Sequence, residues 1–181
     1  QKIKNKQIKV IDNLKGLRNK KYEKVSFVIG IGNNYTRFKV VEYINKLNLK
    51  LKWNKVISKN AVINGNVQIG DGSVIFSGVV IANESKIGDH CFIGPNSCLE
   101  HNNIFGSFSS CGAGVNCGGR VGVGKLSFLG IGTSVKHQVN IKENCIIGGQ
   151  SLVLKDCQKN SLYFGVPAKK KKKWSLSDKY L

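Results

Sequence analysis

From residue 57 to residue 153 an apolar side chain recurs at every sixth position, through Ile57, Ile63, Ile69, Ile75, Ile81, Ile87, Ile93, Leu99, Phe105, Cys111, Cys117, Val123, Leu129, Val135, Ile141, Ile147 and Val153, without a gap. A helix repeats its apolar face every 3.6 residues, and a hairpin sheet varies its interval with its loops. An unbroken interval of six fits instead a solenoid of short parallel strands that turns a corner once per interval. The residue two places earlier shares the inward face of its strand. It is mostly small or β-branched, as at Val67, Ser73, Val79, Ser85, Cys91 and Ser97. A large aliphatic beside a small residue fills a narrow tube at protein density. The residue after the aliphatic is often glycine, as at Gly70, Gly88, Gly94 and Gly106. These glycines predict corners with close backbone approach and positive φ.

The flanks follow other patterns. Residues 7–12 and 25–31 read as strands, the second apolar enough for a buried parallel sheet. A Gly30-Ile31-Gly32-Asn33-Asn34 turn follows, and then a helix over 35–47 with Phe38, Val41, Ile44 and Leu47 on one face and Asn34 as its N-cap. Residues 49–53 read as one more strand. The glycine turn lacks the GxGxxG spacing of a dinucleotide fingerprint. Beyond the repeat, residues 162–167 read as an extended segment, and 168–181 as a polar, basic tail with Trp174 and Tyr180 as anchors. The chain divides at 1–55, 56–157 and 158–181.

Charge sharpens that division. The net charge is +19, yet residues 57–157 hold seven Lys/Arg against six Asp/Glu. The excess lies at the two ends and finishes in the run Lys169 to Lys173. Such a field favours anionic partners, but the basic segments carry no nucleic-acid-binding motif. No apolar run reaches the roughly 20 residues of a membrane span, and no signal peptide is visible. Of the six cysteines, Cys111 and Cys117 fall on the large inward position and Cys91, Cys145 and Cys157 on the small one; Cys98 is out of register. With no CxxC pair, these residues predict core packing, no metal, and a reducing, cytoplasmic setting. Of the three histidines, His90 and His137 sit beside turns and read as surface residues. His101 follows Leu99-Glu100 near a coil corner, where a side chain can face a neighbouring subunit. Imidazole is the natural general base near neutral pH.

The repeat resembles that of the hexapeptide-repeat acyltransferases, whose fold is a left-handed parallel β-helix with three strands per coil. The sequence is similar to one branch of them, the sialic acid O-acetyltransferases and the N-acetyltransferases of nucleotide-linked 4-amino sugars. The likeness is carried by Ile29 to Asn34, the coils, Leu99-Glu100-His101, Phe128-Leu129-Gly130-Ile131 and Gly165-Val166-Pro167-Ala168-Lys169. The resemblance implies a mainly β fold in which a partial, Rossmann-like α/β unit at 1–55 precedes the β-helix. The branch's opening strand and glycine-rich loop would fall before Gln1, in a segment of roughly twenty to thirty residues.

The same resemblance implies direct acetyl transfer from acetyl-CoA at sites between the subunits of a homotrimer, within surface polysaccharide biosynthesis. His101 would be the general base. Gly119, Ile131 and Gly149 would line the acetyl-CoA groove, and Ala168 and Lys169 would meet its nucleotide end. Asp12 and Gly32 would lie on the nucleotide-sugar side. Two positions depart from the branch. Ser110 stands where a second histidine contacts the acetyl group, and Asn102 stands where an acid follows the base. Both serve as supporting residues, Asn102 orienting the ring and Ser110 offering a donor. A weakened base suits an amine nucleophile better than a hydroxyl, so N-acetylation leads. O-acetylation of sialic acid or a related sugar, and a non-catalytic sugar-binding solenoid, are the alternatives.

Overall fold

In the computed structural model the described residues are 17, 25–47, 51–176 and 178. The expected strand at 7–12, with Asp12, and the anchor Tyr180 lie outside them. From residue 56 the chain is a parallel β-solenoid of two-residue strands arranged in three sheets. Each strand pairs with the one a full coil away: Val56 with Val74, Val74 with Phe92, Val62 with Val80, Gln68 with Lys86. Three six-residue intervals therefore make one coil, and the second sheet's six strands give about six turns. Ile75, Ile93, Cys111, Leu129 and Ile147 stack under the first face, Ile81, Leu99, Cys117, Val135 and Val153 under the second, and Ile87, Phe105, Val123 and Ile141 under the third. All of them are buried in one continuous core.

The small inward positions do more than leave room. The hydroxyls of Ser73, Ser97 and Ser127 donate to the carbonyls of Gly88, Gly112 and Lys142, and accept the amides of Cys91, Val115 and Cys145. Each serine thus ties its corner to the coil beyond and satisfies backbone groups that the turn leaves unpaired. Five of the six cysteines take the inward places read from the register, and the out-of-register Cys98 lies outside the core. Burial raises the thiols of Cys91, Cys111 and Cys145 to about 11 and that of Cys157 to about 12. These thiols stay protonated at neutral pH, which suits packing and not ligation. Among the described residues no three His, Cys, Asp or Glu side chains cluster as a metal group would, and no helix is long and apolar enough to cross a membrane.

The corner glycines need a correction. Positive φ falls three residues after the aliphatic, at Glu84, His90, Asn96 and Asn102 among others, and not at the glycine that follows it directly. That glycine answers to close approach. A Cβ on Gly94 would lie 2.5 Å from the carbonyl carbon of Gly112 in the next coil.

Before the solenoid, β1 (Ser26–Phe27) pairs in parallel with β2 (Lys52–Trp53), and α1 (Asn34–Lys46) connects them. The N-cap is Asn33, not Asn34: its Oδ1 accepts the Thr36 amide at 2.9 Å. Asn34 is buried with Arg37, Val41 and Ile44. This unit sits on the corner between the third and first faces. There the column His90, Phe108, Leu126 turns large side chains outward, and Phe108 joins Ile29, Val41 and Ile44 in a second core.

His90 is therefore not a surface residue. It is 5% exposed, stacked on Phe108 at 5.0 Å and met edge-on by Trp53 at 4.8 Å. A repeat register places a residue on a corner but does not show what packs there from outside. Burial holds the His90 imidazole below its ordinary 6.5, against the pull of Asp89 and with the help of Arg37. The unfolded chain then binds the proton first as pH falls. The stability that neutral His90 gives this joint is whole above pH 6.5 and is lost as pH drops through the lowered folded value. Denaturation midpoints of wild type should fall with pH across that window more steeply than those of His90→Asn.

After the last coil, Ser161–Phe164 extends the first sheet in parallel, and Lys169–Lys173 returns antiparallel beside it. The basic run is thus a strand and not a loose tail. Trp174, 8% exposed, closes it with its amide on the Asn160 carbonyl at 2.8 Å.

Candidate functional site

His101 stands exposed on the corner between the second and third faces. Backbone bonds hold this corner from both neighbouring coils: the Asn102 amide donates to Asn83 at 2.9 Å, and the Arg120 amide donates to His101 at 2.9 Å. The His101 Nδ1 lies 2.8 Å from Asn102 Oδ1. A carbonyl oxygen only accepts, so this contact places the proton on Nδ1 and leaves the Nε2 lone pair open. Nε2 points across Gly119, one coil on, where an added Cβ would come within 2.5 Å of it. Gly119 is the floor on which the imidazole rests.

Asn103 is the residue at this corner that sequence reasoning missed. It occupies an inward position otherwise given to Ser85 and Val121, and it is fully buried. Its side-chain amide donates to the carbonyls of Glu100 and Gly118, and its backbone amide donates to Ser85 Oγ at 3.1 Å. It thereby clamps the turn carrying His101 to the turn carrying Gly119. A polar residue on a position that is otherwise small and apolar or hydroxylic was the signal.

The other candidate residues lie on other corners. Ile131 and Gly149 stack between the first and second faces, where a Gly149 Cβ would lie 3.2 Å from the Ile131 carbonyl oxygen. Ile131 is 63% exposed. Ala168 is near that corner, its amide donating to Leu152 at 2.8 Å, and Lys169 opens the basic strand.

Gly32 and Ser110 belong to the third group, around α1. The buried Ser110 hydroxyl donates to Asn34 Oδ1 at 2.6 Å, and Asn34 Nδ2 donates to the Ser127 carbonyl at 2.9 Å. Arg37, fully buried, donates to the carbonyls of Ile31 and Gly32 at 2.7 and 3.0 Å, to His90 at 2.8 Å and to Asn34 Oδ1 at 2.7 Å. Its guanidinium lies 4.1 Å from the Phe92 ring centre. Within one chain, then, Ser110 is an anchor for the helix start and is not grouped with His101.

The structure brings His101, Asn102 and Gly119 together, keeps Ile131 and Gly149 one corner away, and holds Gly32 with Ser110 at the remaining corner. A side of the coil measures roughly 20 Å at 3.3 Å per residue. Reacting groups must approach to about 3–3.5 Å.

Comparison with known proteins gives this geometry a setting. Residues 69–101 match the family described as Bacterial transferase hexapeptide (six repeats). PerB from Caulobacter crescentus, solved in complex with CoA and GDP-perosamine, is similar at a TM-score of 0.78 and 30% identity, over 81% of this chain and 70% of that one. A histidine-to-alanine mutant of GDP-perosamine N-acetyl transferase from the same organism, also with CoA and GDP-perosamine, is similar at 0.78 and 29%, over 81% and 69%. The acetyltransferase domain of PglB from Neisseria gonorrhoeae, in complex with acetyl coenzyme A, shares the fold at 0.75 and 22%, over 79% and 69%. No curated protein matches the chain.

Proposed function

The chain belongs to the hexapeptide-repeat acyltransferases, and on that premise we propose that it is an acetyl-CoA-dependent N-acetyltransferase acting on the amino group of a nucleotide-linked sugar. The observation that carries the reading is the His101 corner: an exposed imidazole with Asn102 on Nδ1 and its Nε2 free over Gly119. The likeness to PerB, solved with CoA and GDP-perosamine, supports an amino sugar as acceptor.

In this mechanism the sugar amine attacks the thioester carbonyl. His101 Nε2 takes the proton that the nitrogen sheds. The tetrahedral intermediate then collapses to the amide and expels the CoA thiolate, which takes the proton from His101 and leaves the imidazole neutral again. Asn102 orients the ring without adding charge, so the base is a modest one, suited to an amine that is partly unprotonated near neutral pH. Ile131 offers an exposed apolar surface, and Gly149 an open backbone, for pantetheine. Ala168 and Lys169 lie toward the nucleotide end. Gly32 and Asp12 are assigned to the nucleotide-sugar side, within a Rossmann-like unit at 1–55.

The separation of the corners within one chain favours a homotrimer of left-handed coils, in which the His101 corner of one subunit faces the Ile131–Gly149 corner of the next. The enzyme would work in the cytoplasm, where nucleotide sugars and acetyl-CoA are found.

Thiol release from acetyl-CoA should be fast with nucleotide-linked 4-amino sugars and negligible with sialic acid. Preference for the hydroxyl acceptor would move the assignment to O-acetylation. Gly119→Ala sets a methyl against Nε2 and should lower kcat by about 10²-fold, the cost of misplacing a reacting group by about 1 Å. Its melting temperature should change little.

A further inference from the structure

The C-terminal end of the solenoid carries more basic charge than the one lysine, Lys169, that acetyl transfer would use. Five consecutive lysines, Lys169–Lys173, form the outermost strand of the first sheet, and all are exposed. None is ion-paired to a carboxylate among the described residues. Lysine on an edge strand blocks pairing with another sheet. One or two suffice for that, and they need not populate both faces. Lys170 and Lys173, with Lys159, also border a cavity of about 550 Å³ beside Trp174 and Leu176.

Apolar groups share this end: Val166 at the hairpin tip is 71% exposed, Phe164 44% and Leu176 38%. Two aromatic rings here each already carry a lysine over one face. Lys171 lies over Phe164 at 4.7 Å and Lys172 over Trp174 at 5.3 Å. A base would have to displace a lysine to stack there, whereas the aliphatic tips of Val166 and Leu176 carry no such partner. Cationic groups beside protruding aliphatic side chains match an interface in which headgroup phosphates meet the amines and the tips enter the acyl boundary.

We infer that Lys170–Lys173, with Val166 and Leu176, form a docking face for an anionic phospholipid bilayer. It does not rest on the acetyl-transfer reading, and its test needs no turnover. The full chain is floated with phosphatidylcholine vesicles, with and without phosphatidylserine. The expected result is binding to the acidic vesicles alone, released by raised salt. Binding should weaken by about a hundredfold in a Lys170→Gln, Lys172→Gln, Lys173→Gln variant, at about fivefold per lysine. Val166→Ser should also weaken it, with the net charge unchanged.

The inference is overturned by equal binding to neutral vesicles, or by no binding to acidic ones. It is also overturned by a triple-lysine variant that binds like wild type, since the basic residues before the solenoid would then carry the attraction. Release by excess free CoA would assign the strand to a soluble nucleotide phosphate. Retention on an oligonucleotide, lost in the lysine variant and without any vesicle binding, would assign it to nucleic acid.

Discussion

His101→Ala should lower kcat for thiol release from acetyl-CoA by about 10²–10⁴-fold, the range that a positioned general base contributes. The fold should survive. The side chain is exposed and its hydrogen bond is to the neighbouring Asn102, while the corner itself is held by backbone bonds from Asn83 and Arg120 and by the Asn103 clamp. Melting temperature and far-UV circular dichroism should therefore match wild type. A variant as active as wild type would leave the solenoid a scaffold for binding, or place the base elsewhere.

Arg37→Ala should have the largest effect on stability, on the order of 3–5 kcal/mol, because several buried carbonyls lose their donor at once. The guanidinium is wholly buried and satisfies the carbonyls of Ile31, Gly32, His90 and Phe108 together with Asn34. Deleting it leaves those backbone carbonyls dry, each at about 1–3 kcal/mol, and opens a cavity against Phe92, while Asn34 Oδ1 keeps the Ser110 hydroxyl. The saved cost of burying the charge is the smaller term, because the carbonyls had already replaced its water. The loss should be local. Amide exchange in α1 should rise sharply while the coil strands, held by their own core, stay protected. Equal protection of α1 in variant and wild type would mean that the apolar contacts of Val41, Ile44 and Phe108 suffice to hold the unit in place.

The solenoid was legible because its core residues obey one interval, and every inward aliphatic from Ile75 to Val153 is buried as that interval requires. The inward cysteines were legible for the same reason. What the interval concealed lies on the outside of the corners. His90, Phe108 and Leu126 are one coil apart, yet as single residues they look like ordinary turn positions. Their role comes from a helix that packs on them from another part of the chain. Arg37 was missed because apolar periodicity, the signal used to read helix faces, passes over a charged residue that is buried on backbone carbonyls. His101 was singled out by its neighbours in sequence. Asn103, which holds that corner, was passed over because attention to the repeat favours the residues that obey it, though its departure from the inward pattern marked it. The lysine run was read as a tail because five like charges disfavour a strand locally; pairing with Ser161–Phe164 and burial of Trp174 override that preference.

The most direct test of the account is subunit complementation. His101→Ala disables the base, and Ile131→Glu places a like charge where the cofactor's phosphates and pantetheine would pass. Each variant alone should be nearly inactive. If the two residues serve one site from different subunits, unfolding and reassembling an equal mixture should restore about one quarter of wild-type thiol release. In a cyclic trimer, each mixed assembly then holds one interface with both residues intact. No recovery from the mixture, with each variant folded and trimeric, would contradict the shared site.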